Sequence, residues 1–268
     1  MHDLNLKAIA AMYDSPEVQL IPEMFGGYVH WGYWDESNAD ADFAGGSDKL
    51  AQLMIDRVRI QPNQRFCDLG CGLGVSAIKL SKTRKCYVDG VTISKLQQQS
   101  ATQKAKAEGL EGWVKFMHAD ALHLPCADQT YDGGWFFESI FHMGHRAALA
   151  EASRILKPGA TLLLTDMTLL SPMAQEFKRF AESAIHSDFV SKEDYPSLLE
   201  DAGFELVELW DITSHVMAPL VPKFKKALAM HKQSLKNSIT EKTVEDWIYA
   251  LEYMSKNLGY ILVTARKR

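Results

Sequence analysis

Segments with helical spacing alternate along this chain with short apolar runs. Residues 47–60 (SDKLAQLMIDRVRI) place apolar side chains at 50, 53, 54 and 58, one face of a helix, with Ser47 standing where a helix opens. QPNQ turns the chain, RFCDL reads as a short buried strand, GVSAIKLSK as a helix and CYVDGVTI as a second strand. KLQQQSATQKAKAEG is helical and closes at Gly109. WVKFMHAD and YDGGWFFES read as the third and fourth strands, HRAALAEASRILKPG as a helix stopped by Pro-Gly, and ATLLLTDM as the fifth strand. Strands alternating with helices predict an α/β fold, doubly wound on a mostly parallel sheet.

After the fifth strand the rhythm changes. Residues 192–202 read as a helix, FELVELWDIT as a strand and GYILVTARK as a final strand. Two inserts of helical character, 168–190 and 219–258, leave the sheet where strands end and are placed to fold over one edge as a cap. The predicted organisation is therefore an N-terminal lid segment (1–45), a core (46–167), a cap insert (168–190) and a core continuation (191–218). A helical cap insert (219–258) and the final core strand (259–268) complete it. A cap of this extent suggests a substrate that must be enclosed.

Composition narrows the function classes. The 268 residues are 47% hydrophobic and 24% charged, an ordinary globular balance. The net charge is −5, and basic residues are dispersed apart from KFKK (223–226) and the terminal RKR, which argues against a nucleic-acid partner. Nothing approaches the ~18 consecutive apolar residues of a membrane span. The N-terminus has early acids and no apolar core before a cleavage site, so it reads as mature. Cysteines 67, 71, 86 and 126 lack metal-ligand spacing. They read as small apolar filler in a reducing cytoplasm, with no metal expected. No feature of the sequence sets an oligomeric state.

The candidate chemistry starts at RFCDLGCGLGVSAIKLS (65–81). Glycines serve where backbone approaches a ligand, and the following helix N-terminus offers free N–H groups. The dinucleotide fingerprint G-x-G-x-x-G fails here, because its third small residue would fall at Val75, and the phosphate-loop ending is absent. What stands there is D-x-G-x-G-x-G, with Asp68 before Gly70 and Gly72. A carboxylate on the ligand side repels phosphate and suits a ligand bearing an ammonium and a sulfonium, which S-adenosylmethionine is. HADALHLP agrees: Asp120, at the end of the third strand, can accept from an adenine amino group, and Ala121 and Leu122 can flank the ring.

With DLGCGLG, HADALHLP, LKPGATLLLTD and GYILVTARK together, residues from 45 onward resemble the class I S-adenosylmethionine-dependent methyltransferases. The resemblance is nearest to bacterial natural-product O-methyltransferases of the rebeccamycin sugar type, and more distant to tocopherol, sterol and cyclopropane-forming methyltransferases. The shared segments are YD…GGYVHWGYWDE and ESIFHMGHR. It implies a seven-stranded sheet of order 3-2-1-4-5-7-6 with the last strand antiparallel, and S-adenosylhomocysteine as product. The acid that usually binds the ribose falls at Thr92, and Asp89, three residues earlier, points to the other strand face and reads as solvated. The nearer relatives imply ribose contacts at Thr92, Ser94 and Gln97. They also imply a cofactor lid near His30 and Trp31, whose aromatic faces suit a sulfonium.

The loop after the fourth strand, FFESIFHMGHR, opens where ligands bind in this architecture. Methyl transfer to a hydroxyl needs aligned reactants and removal of a proton. His142 is the natural base, and Asp166 could orient its imidazole or bind the acceptor hydroxyl; the nearer relatives place a histidine and an aspartate there. Glu138 is expected to frame the methionine portion, and His145 to cap the next helix or lie at the surface. The leading expectation is an O-methyltransferase acting on a small, partly apolar metabolite. Two rivals differ in chemistry. C-methylation of an alkene would use Phe136, Phe137, Phe141, Phe177, Phe180 and Glu138 around a carbocation, although no paired acids for magnesium diphosphate are present. The other rival keeps the bound cofactor as a scaffold without methyl transfer.

Overall fold

The computed structural model describes residues 6–171, 175–235 and 238–268. Residues 1–5 of the expected lid segment, 172–174 of the first insert and 236–237 of the second lie outside the described residues. The described residues begin with α1 (Leu6–Tyr13) and the single turn α2 (Ile21–Met24), neither of which the sequence pattern announces. The next helix, α3 (Phe43–Arg57), opens at Asp42 rather than at Ser47: the Asp42 carboxylate accepts from the Gly45 N–H at 2.8 Å. Ser47 is buried inside the helix and donates to the His30 carbonyl. The glycine-containing first turn is held by packing, since a Cβ at Gly46 would stand 2.3 Å from the Trp34 ring.

The core follows the predicted alternation through β1 (Arg65–Leu69), α4 (Val75–Arg84), β2 (Tyr87–Thr92), α5 (Lys95–Ala107), β3 (Val114–His118), β4 (Tyr131–Phe137) and α6 (His145–Ile155). The Pro-Gly after α6 does not end it in a loop. β5 (Leu156–Leu169) starts directly, and Pro158 and Gly159 form an irregularity in its pairing with β4, between Tyr131 and Gly133. Gly159 has φ +80°, which a bulge of this kind needs. Then come α7 (Gln175–Ala184), α8 (Tyr195–Asp201), β6 (Phe204–Asp211), α9 (Thr213–Met230), the single turn α10 (Lys232–Leu235), α11 (Glu241–Asn257) and β7 (Leu258–Lys267).

Among the described residues these strands form one seven-stranded sheet of order β3-β2-β1-β4-β5-β7-β6, with β7 antiparallel to both neighbours. The core lies on both faces, and β5 shows how the pleat divides it. Leu163 and Met167 join a cluster with Trp135, Phe137 and residues of α9 and α11, while Leu162 and Leu164 join the opposite cluster with Phe136, Leu149 and Tyr195. The strand order reverses between β1 and β4, so the loops that follow them open side by side, the position at which doubly wound sheets bind ligands.

Candidate active site

Between those loops lies a cavity of about 70 Å³, walled by Gly70, Gly72, Thr92, Gln97, Asp120, Ala121 and Glu138, and roofed by Leu6, Ile9 and Tyr13 of the α1 segment. Gly70 and Gly72 have φ of +93° and +51°, and a Cβ would stand 2.4 Å from Ser139 Cβ in the first case and 2.6 Å from Val29 Cγ2 in the second. No other residue type fits there. Thr92 donates to the Gln97 carboxamide at 2.8 Å on the cavity wall. Asp120 accepts from the Leu122 N–H and faces the His123 ring at 3.0 Å, whereas the Leu122 side chain packs against the core away from the cavity. Ser94 is not on the wall either: it caps α5 by accepting from Gln97 N–H, and its hydroxyl donates to Asp14.

A side pocket of about 20 Å³ adjoins this cavity, bounded by Asp68, Gly70, His30 and Ser76. Asp68 is 1% exposed, its Oδ1 has no hydrogen-bond partner, and burial pushes its carboxyl up to about 7. An ammonium would satisfy that oxygen. His30 stacks on Phe137 at 3.9 Å and places Nδ1 2.8 Å from the Trp31 carbonyl, which can only accept, so Nδ1 carries the ring proton. Burial lowers the His30 imidazole to about 4 and keeps it neutral. The Trp31 side chain, by contrast, lines a different cavity. An orphaned carboxylate oxygen and a backbone cradle without Cβ atoms fit the amino acid end and the body of S-adenosylmethionine.

That second cavity, of about 210 Å³, extends from the first between the N-terminal segment, α9 and α11. Tyr13, Val29, Glu138 and His142 line both spaces, so they form the passage between them. His142 Nδ1 is 3.1 Å from the His186 carbonyl, which assigns the proton to Nδ1 and leaves the Nε2 lone pair free to accept. Tyr13 donates its hydroxyl to Nε2 at 2.9 Å, and the Ser187 hydroxyl lies 3.3 Å from Nδ1. Burial lowers the His142 imidazole to about 4. Glu138 sits opposite on a left-handed backbone, φ +50°, a conformation that costs energy for a non-glycine residue. Its carboxylate accepts from the Trp31 N–H at 2.8 Å and from the Tyr260 hydroxyl, yet burial still pushes it up to about 8. Its residual exposure faces the two cavities.

The family described as "Methyltransferase domain" matches residues 67–164. An O-methyltransferase of Aspergillus sclerotiorum is 31% identical over 97% of this chain and 96% of its own length. The (+)-O-methylkolavelool synthase of Herpetosiphon aurantiacus is 30% identical over 98% of this chain and 95% of its own. This chain is an S-adenosylmethionine-dependent methyltransferase. Among solved structures, the [4+2]-cyclase SpnF superposes on it with a TM-score of 0.84 at 28% identity, covering 98% of this chain and 97% of that one.

In this methyltransferase Asp166 does not meet His142. It shares the strand parity of Leu162 and Leu164, so its side chain enters the opposite face of the sheet. There Oδ2 accepts from His145 Nε2 at 2.8 Å and from the Tyr195 hydroxyl at 2.5 Å, with both aspartate and histidine fully enclosed. Neither expected role for Asp166, orienting His142 or binding the acceptor, matches that position. His145 is likewise corrected: it opens α6 but is 3% exposed, not a surface residue. Asp89 pairs with Arg65 and the Tyr131 hydroxyl, away from the 70 Å³ cavity. Tyr13 and Ser187, whose side chains do meet His142, stand far from it in sequence. Tyr13 and Asp14 belong to a segment of the resemblance, yet nothing local marks the first as a partner of a histidine 129 positions away.

Proposed function

We propose that this methyltransferase moves a methyl group to a hydroxyl of a small, partly apolar metabolite, with His142 as general base. The observation that carries this reading is the unprotonated Nε2 of His142 at the passage between the two cavities. S-adenosylmethionine supplies an activated methyl and leaves as S-adenosylhomocysteine. The chain's own work is to align and to take a proton. Gly70, Gly72, Thr92, Gln97, Asp120 and Ala121 hold the donor's body, and Asp68 with His30 encloses its amino acid end. The acceptor lies in the larger cavity with its hydroxyl toward Nε2, in place of the Tyr13 hydroxyl. As the C–O bond forms, the hydroxyl proton passes to Nε2, and the His186 carbonyl keeps the ring oriented through Nδ1–H. The N-terminal segment and the two inserts exclude water as a cap. A cyclase shares the architecture, so fold alone does not prescribe transfer; a base at the passage supports it.

The test is incubation with methyl-labelled S-adenosylmethionine and paired acceptors of one skeleton, an alcohol and the corresponding alkene. Label in an ether supports the proposal. Label bound only to carbon, or no label from any acceptor while the cofactor binds, contradicts it.

A further inference from the structure

The polar groups of the larger cavity gather at one end. Tyr13, His142, Ser187 and Glu138 surround the passage, with His142 in hydrogen-bond contact with Tyr13 and 3.3 Å from the Ser187 hydroxyl. Away from the passage the wall is apolar: Ile21, Phe25, Phe224, Leu251 and Met254, with the Trp247 ring among them. Among the described residues no lysine or arginine lines either cavity. A phosphate, diphosphate or carboxylate carried into this space would find no cation to pair with, and burying it unpaired is prohibitive. A sugar-like body would leave most of its hydroxyls unbonded against aromatic and aliphatic walls. The cavity, about 210 Å³, exceeds the ~150 Å³ that holds a single benzene ring, so it takes a ring with substituents or a bent chain.

We propose that the acceptor is a neutral, hydrocarbon-rich alcohol, a substituted ring or bent chain with its polar group at one end. Its single reacting hydroxyl sits at His142, and its body lies against α2, α9 and α11. The proposal rests on the hydroxyl-transfer reading and adds the class of molecule that carries the hydroxyl. Affinity comes from removing hydrocarbon surface from water, and orientation comes from the one polar end.

The experiment uses the full chain saturated with S-adenosylmethionine and a panel of mono- and bicyclic terpenoid alcohols. Each is paired with an analogue that keeps the reacting hydroxyl free and carries a phosphate monoester at the far end of the skeleton, and with a polyhydroxylated analogue. The neutral alcohols are expected to be methylated with kcat/KM at least ~10²-fold above either partner, the scale set by an unpaired buried polar group. Binding is read separately, without turnover, as quenching of tryptophan fluorescence by the same alcohols in the protein saturated with S-adenosylhomocysteine. Ala250, half-buried on the far wall, supplies a second test. Ala250→Phe should lower kcat/KM for the bulkiest alcohols while leaving the smallest unaffected. Preferred methylation of phosphate esters or polyols would overturn the proposal and leave hydroxyl transfer standing. Failure of every hydroxyl compound, with carbon-bound label from alkenes, would overturn both.

Discussion

The Tyr13 hydroxyl lies 2.9 Å from His142 Nε2, and the two rings meet edge to face at 5.6 Å. A helix that precedes the core thus supplies the partner of a side chain in the loop after β4. Tyr13→Phe keeps the ring contact and removes only the hydroxyl. Because the acceptor hydroxyl takes that place on Nε2, we expect the KM for the acceptor to fall by up to roughly tenfold, the scale of one hydrogen bond, with kcat and cofactor affinity little changed. Tyr13 is not itself the base, because burial and the neighbouring Glu138 push its phenol up, away from ionisation. A loss as large as that of His142→Ala would reverse this assignment.

Asp166, His145 and Tyr195 form a buried cluster that holds α6 and α8 to β5. Asp166→Ala is expected to cost about 3–5 kcal/mol of stability, the scale for breaking a buried pair, read by urea unfolding. Turnover per folded molecule should stay near wild type. An unchanged unfolding midpoint with collapsed turnover would return Asp166 to the chemistry.

Glu138 links cofactor binding to pH. Its carboxyl, raised to about 8 by burial, is protonated at neutral pH in the absence of a nearby cation. The groups facing it are Tyr260, the Trp31 N–H and Tyr13, and the Asp166 charge acts on it from the other face of the sheet. A sulfonium favours the carboxylate, so binding of S-adenosylmethionine releases a proton, and affinity should rise as pH climbs towards about 8. S-adenosylhomocysteine, neutral at sulfur, lacks that linkage. Asp68 faces the amino acid end common to both ligands, so the difference between them isolates Glu138. Calorimetry in buffers of different ionisation heat measures it; equal proton release for both ligands, unchanged in Glu138→Gln, would refute the linkage.

The rate should show a related signature. Transfer needs a neutral His142, and burial lowers that imidazole to about 4. kcat should therefore hold as pH falls through ~6.5, where a solvated histidine titrates, and decline only near about 4. Half-loss of kcat near the solvated value, at saturating cofactor, would show that His142 is not enclosed as described.

Much of the fold is legible in the sequence because strands such as β1 and β2 end at a glycine or run into a capped helix. The cofactor loop is legible for a further reason: Asp68, Gly70 and Gly72 carry their constraint in residue type. The face occupied by Asp166 is not legible. In ATLLLTDM every position is apolar or small up to the aspartate, since both faces of β5 are buried, and no alternation shows which way a side chain points. Thr92 and Asp89 differ because their separation alone settles the parity. The resemblance to the nearer relatives implies a ribose contact at Ser94; as the residue before α5, its hydroxyl goes to the helix cap instead. The Tyr13 contact depends on how α1 docks, which short-range pattern does not encode.

The most direct test of a hydroxyl acceptor with His142 as base is single-turnover methyl transfer to an alcohol by His142→Ala, with cofactor affinity measured on the same preparation. The transfer rate is expected to fall roughly 10²–10⁴-fold, with S-adenosylmethionine bound as tightly as by wild type. Undiminished transfer in His142→Ala would contradict that role, and a collapse in Glu138→Gln alongside would point to methylation at carbon.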